Sequence, residues 1–72
     1  MQICVDDFAL NLREAIFKKR LSQKKLADMI NTEQPMINGY CTGKKQPSLW
    51  MFCLICEALE MSPNELLRAR DR

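Results

Sequence analysis

The sequence predicts an all-α fold, five short helices in one domain. Three observations carry that prediction. Apolar residues recur at three- and four-residue intervals, and nowhere do they alternate with polar ones as a half-buried strand would require. Four of the five segments open on a Ser or Asp that can cap a helix. With 47% hydrophobic residues, only two Gly and only three Pro among 72, the chain has material for a core and little that favours disorder. A chain this short buries only about 60% of its unfolded surface, so efficient helix packing has to supply the stability.

The first helix is expected from about Asp7 to Lys19. Asp6-Asp7 offers a cap and a negative charge at the positive end of the helix dipole. Phe8, Leu12, Ala15 and Ile16 share one face, and Lys18, Lys19 and Arg20 suit the C-terminal end. Residues 1–5, MQICV, fit an unstructured start, a packing arm or a short edge strand equally well. The second helix opens at Ser22 and turns Leu26, Ala27 and Ile30 inward. Asn31, which tolerates the left-handed conformation, makes a tight turn with Thr32. The third helix turns Met36, Ile37 and Tyr40 inward and closes at Thr42-Gly43, where Gly accepts a positive φ. A polar loop, Lys44 to Ser48, leads to the fourth helix, about Leu49 to Leu59. Its inner face is Leu49, Phe52, Ile55, Cys56 and Leu59, but Trp50, Met51, Cys53 and Leu54 make it apolar nearly all round. Such a helix in so small a domain suggests a partner surface. Ser62-Pro63-Asn64-Glu65 is a capping box with Pro at the first helical position. The fifth helix then runs to about Ala69 and buries Leu66, leaving Arg68 to Arg72 as a frayed charged tail. As domains, the reading is an arm at 1–5, one folded unit at 6–69 and a tail at 70–72.

Net charge is only +2, but it is unevenly placed. Lys18, Lys19, Arg20, Lys24, Lys25, Lys44 and Lys45 surround the helix–turn–helix of residues 21–43. Acids gather towards the two ends. Cys53 and Cys56 form a C-x-x-C, yet they lie inside a helix-period apolar run and the chain contains no His. Small buried hydrophobes in a reducing compartment explain the four cysteines better than a metal site does. No metal, cofactor or small-molecule ligand is expected. The start of the sequence does not resemble a signal peptide, and no apolar stretch reaches membrane-spanning length. A cytoplasmic location follows as an expectation.

Residues Leu21-Ser22-Gln23, Leu26-Ala27, Ile37, Gly43-Lys44, Pro47-Ser48-Leu49, Ala58-Leu59, Ser62 and Glu65-Leu66, in one register, carry a resemblance. The sequence resembles the Cro/repressor-type (XRE-like) helix-turn-helix family over about Phe8 to Leu67. The resemblance implies a lambda-repressor-like DNA-binding domain, usually dimeric, whose third helix enters the major groove. It places Ser22, Gln23, Thr42, Lys44 and Lys45 on the DNA backbone. It places Glu33, Gln34, Pro35, Asn38 and Gly39 at the base-reading face. Gln and Asn suit an adenine edge physically. Glu33, Pro35 and Gly39 depart from the family pattern: an acid faces DNA, a donor is lost, and a side chain is missing. Ile16 and Cys41 stand where relatives often hold a buried Arg–Glu pair.

Two functions are therefore expected. The first is a sequence-specific transcriptional regulator, a dimeric repressor on double-stranded DNA, dimerising through Trp50, Met51, Leu54, Met61 and Leu67. The alternative is a protein-interaction adaptor of the same fold that has lost base reading. An enzyme is not expected, because no His, phosphate loop or acid–base pair supplies the chemistry.

Overall fold

The computed structural model describes residues 5–70, and every regular element among them is a helix. Helix α1 spans Val5–Lys18, α2 Gln23–Met29, α3 Gln34–Thr42, α4 Leu49–Leu59 and α5 Pro63–Leu67. Val5 already belongs to α1, and residues 1–4 of the expected arm lie outside the described residues. The first helix thus begins earlier than the Asp6-Asp7 cap predicts. Asp7 is a buried residue inside the first turn, and its Oδ2 accepts from the Arg70 backbone N–H at 3.4 Å.

The expected serine caps form. Ser22 Oγ accepts from the Lys25 N–H at 2.9 Å, and Ser48 Oγ from the Met51 N–H at 3.1 Å. Ser62 Oγ accepts from Glu65 N–H at 3.3 Å while the Glu65 carboxylate accepts from Ser62 N–H at 3.2 Å, completing the capping box. Such a cap contributes about 1 kcal/mol. Helix α3 starts differently: Glu33 makes no side-chain cap bond, and Pro35 occupies a first-turn position where a missing amide costs little.

The C-terminal ends of α1 to α4 share one device. Arg20, Asn31, Gly43 and Glu60 each adopt a left-handed backbone, with φ of 57°, 57°, 78° and 54°. The next residue then bonds back to a carbonyl five positions earlier: Leu21 to Ile16, Thr32 to Ala27, Lys44 to Gly39, Met61 to Cys56. These are Schellman closures, which satisfy carbonyls that a helix end would otherwise leave open.

Leu12, Leu26, Ile37, Ile55, Leu59 and Leu66 are wholly buried, one or more from every helix. Helix α3 packs on α1 and α2, and α5 on α1. The Phe8 and Phe52 rings meet with centroids 5.8 Å apart, tying α1 to α4. Two expectations need correction. Leu49 was expected on the inner face of α4 but is 80% exposed. It is the first residue of α4, and the exposed Ser48 and Trp50 beside it show that this turn overhangs the core. The tail is not frayed as far as Arg70. The Asn11 carboxamide, only 4% exposed, donates to the carbonyls of Leu66 and Arg68, both at 2.9 Å. Arg70 donates to Asn11 Oδ1 at 2.7 Å and to Glu14 at 3.1 Å, and Arg68 also reaches Glu14. The segment after α5 is strapped across α1.

Candidate nucleic-acid interface

Helix α3 is positioned by its buried side. Ile37, Tyr40 and Cys41 are in the core, and the Asn31 closure sets the angle at which α3 leaves α2. Residues 35, 38, 39 and 42 follow i, i+3, i+4, i+7 and so share the opposite face. Pro35, Asn38 and Thr42 are exposed there, as are Gln34 and Glu33 at the leading end. The Thr42 hydroxyl donates to the Gly39 carbonyl at 3.2 Å.

Gly39 is the exception on that face, because it is buried. The cover is Lys45. A Cβ built on Gly39 would lie 2.8 Å from Lys45 Cδ and 2.9 Å from Lys45 Cγ. The backbone N–H of Lys45 donates to the Gly39 carbonyl at 3.1 Å, and the Lys45 ammonium rests 3.5 Å from Met36 Sδ. The space left by the missing side chain of Gly39 is therefore occupied by a lysine stem.

The basic residues divide into two groups. Lys24 pairs with Asp28 at 3.6 Å, and Lys18 with Glu14 at 3.2 Å. Lys25 and Lys44 have no acidic partner among the described residues and are exposed. Ser22 is exposed, though its oxygen is engaged by the Lys25 amide, and Gln23 is half-buried beside it. Of the seven cations around the helix–turn–helix, Lys18 and Lys24 are paired with acids, and Lys19, Arg20, Lys25, Lys44 and Lys45 have no acidic partner among the described residues.

Around α4, Trp50 is 74% exposed, whereas Met51, Leu54, Met61 and Leu67 are half-buried and pack against the core. Cys53 is exposed, contrary to the expectation that the cysteines are buried, while Cys41 and Cys56 are buried. Burial pushes both buried thiols above their ordinary range, with Arg13 opposing the rise at Cys41. Ile16, like Cys41, is buried, so an apolar pair stands where a buried ion pair was the family alternative. Phe17, absent from the sequence reading, is 82% exposed. Its signal was legible: Phe17 falls out of step with Phe8, Leu12 and Ile16. A groove of about 260 Å³ between α1 and the α4–α5 link is lined by Glu14, Lys18, Lys19, Glu60 and Glu65 among others. Most of the residues that line it are charged, unlike the predominantly hydrophobic lining of a small-molecule site. No group of three or more potential metal ligands converges among the described residues, and no described helix is long and apolar enough to cross a membrane.

An exposed helix face beside unpaired lysines fits the class to which the chain belongs, the DNA-binding transcriptional regulators. The chain belongs to the helix-turn-helix family, whose model matches residues 11–66. Solved structures agree. The restriction-modification controller protein C.AhdI from Aeromonas hydrophila is 31% identical, with a TM-score of 0.82 over 86% of this chain and 94% of that one. The clp gene regulator ClgR from C. glutamicum is 21% identical, with a TM-score of 0.83 over 88% of this chain and 81% of that one. The SOS-response transcriptional repressor LexA from Eubacterium rectale is 19% identical, with a TM-score of 0.80 over 100% of this chain and 83% of that one. The last two share the fold. No curated protein matches the sequence.

Proposed function

We propose that the protein is a homodimeric cytoplasmic repressor that reads a palindromic operator with α3 and needs no catalysis. The observation that carries this reading is the outer face of α3, where Gln34, Pro35 and Asn38 stand exposed with Glu33 at the leading end. Gln34 and Asn38 offer the paired donor and acceptor that an adenine edge takes in the major groove. Glu33 can accept from a cytosine amine. Ser22, Gln23, Thr42 and Lys44 flank this face and suit phosphates, which set affinity and register without sequence information. Dimerisation uses the overhanging start of α4, with Trp50 at its centre and Met51, Leu54, Met61 and Leu67 around it. Two-fold symmetry then sets half-sites about 34–36 Å apart.

Selection from a random duplex library tests this reading, with Gln34→Ala as the control. The expected result is a shared half-site in inverted repeat, with Gln34→Ala relaxing one position in it. Binding should weaken steeply with salt, because phosphate contacts release counterions. Duplex recovery without any shared half-site, or no binding at low salt, would favour the adaptor role instead.

A further inference from the structure

We propose that Lys45, a loop residue, reads a base in place of the side chain that Gly39 lacks, and that the base is guanine. The inference rests on the reading of α3 as the recognition helix.

Gly39 lies on the same stripe as Pro35, Asn38 and Thr42, which faces away from the core. Its burial cannot come from the core side, and the atoms above it belong to Lys45. Three features fix that lysine there. Its amide donates to the Gly39 carbonyl, its stem fills the space a Cβ would take, and its ammonium lies at Met36, one turn nearer the leading end of α3. The stem therefore crosses Gly39 and ends at Met36, on the flank between the outer and the buried side of the helix, and does not run out into solvent from the loop. The absent side chain and the guest lysine are one arrangement: any larger residue at position 39 would displace the stem.

The ammonium is also left with an undemanding neighbour. A thioether sulfur is a weak acceptor, and Lys45 is exposed. No carboxylate holds it among the described residues. A group with three donors and no acceptor, held at the edge of the face that enters a major groove, matches the O6 and N7 acceptors of guanine. A lysine kept in the loop would instead meet a phosphate and carry no sequence information.

The two roles separate experimentally. Half-sites are selected from random duplexes with the wild type, Lys45→Ala, Gly39→Ala and Lys44→Ala. Gly39→Ala displaces the stem, because the added Cβ would meet Lys45 from Cβ to Cδ; Ala itself favours a helix interior over Gly, and an unchanged helical spectrum separates lost reading from lost folding. The expected result is one guanine position in the wild-type half-site that loses its preference in both Lys45→Ala and Gly39→Ala. Affinity for that guanine over other bases should fall roughly 5- to 150-fold, while the remaining positions keep theirs. Lys44→Ala should weaken all sequences alike and reduce the salt slope by about one. If Lys45→Ala behaves as Lys44→Ala does, Lys45 is a phosphate contact and the proposal falls while the α3 reading stands. If the wild type yields no shared half-site, the α3 reading falls and takes this proposal with it.

Discussion

At the scale of single residues, Asn11 does the most that its residue type does not announce. Its amide holds two carbonyls of the segment after α5 and its oxygen holds Arg70. Asn11→Ala strands those carbonyls near the core and should lower stability by about 2 kcal/mol in a urea titration. The left-handed positions give an opposite pair. Gly43→Ala should cost about 1–2 kcal/mol, since an L side chain strains that conformation. Glu60 already bears that strain at φ 54°, so Glu60→Gly should raise stability by about 0.5–1 kcal/mol, seen as a later urea midpoint. Asn31 and Gly43 were readable as turn residues because their types favour positive φ. Arg20 and Glu60 were not, because there the closure bonds of Leu21 and Met61 override the residue preference. The same limit hid the Gly39–Lys45 pairing: a missing Cβ can be read from the sequence, but the loop residue that fills the gap cannot.

At the scale of elements, the serine caps and the apolar spacing made all five helices legible, and their ends fell within a few residues. What failed was the reading of the segment that follows α5, from Arg68 to Arg70. The charged run after α5 looks like a solvated tail by composition, and only the facing Asp7, Asn11 and Glu14 of α1 convert it into a strap. Glu14 sits at the centre of that strap. Its hydrogen bond to Arg70, then that to Lys18, holds its carboxyl below the ordinary 4.5. A depressed carboxylate stabilises the folded state fully above its unfolded value, and the contribution is lost as pH falls through the folded one. Thermal melts should therefore lose stability as pH drops below 4.5, and Glu14→Gln should flatten that decline. An unchanged acid slope in the variant would remove Glu14 as its source.

At the scale of the whole molecule, the proposed dimer pairs through the overhang of α4. Leu49 and Trp50 are exposed where the core ends, and an apolar patch of that kind marks an association surface. Sedimentation of the wild type should show a concentration-dependent dimer, and Trp50→Glu should leave a folded monomer with an unchanged helical spectrum. A Trp50→Glu variant that still sediments as a dimer would place the interface elsewhere. The distribution of cysteines has a separate consequence. Cys53 is open, whereas Cys41 and Cys56 are shut in the core, and burial keeps the two shut thiols protonated and slow to react. In the Trp50→Glu monomer, an alkylating reagent followed by peptide mass spectrometry should modify Cys53 at once. Cys41 should react only as fast as the fold opens. The protein thus carries its own stopwatch: the ratio of those two rates measures, without denaturant, how often the bundle comes apart.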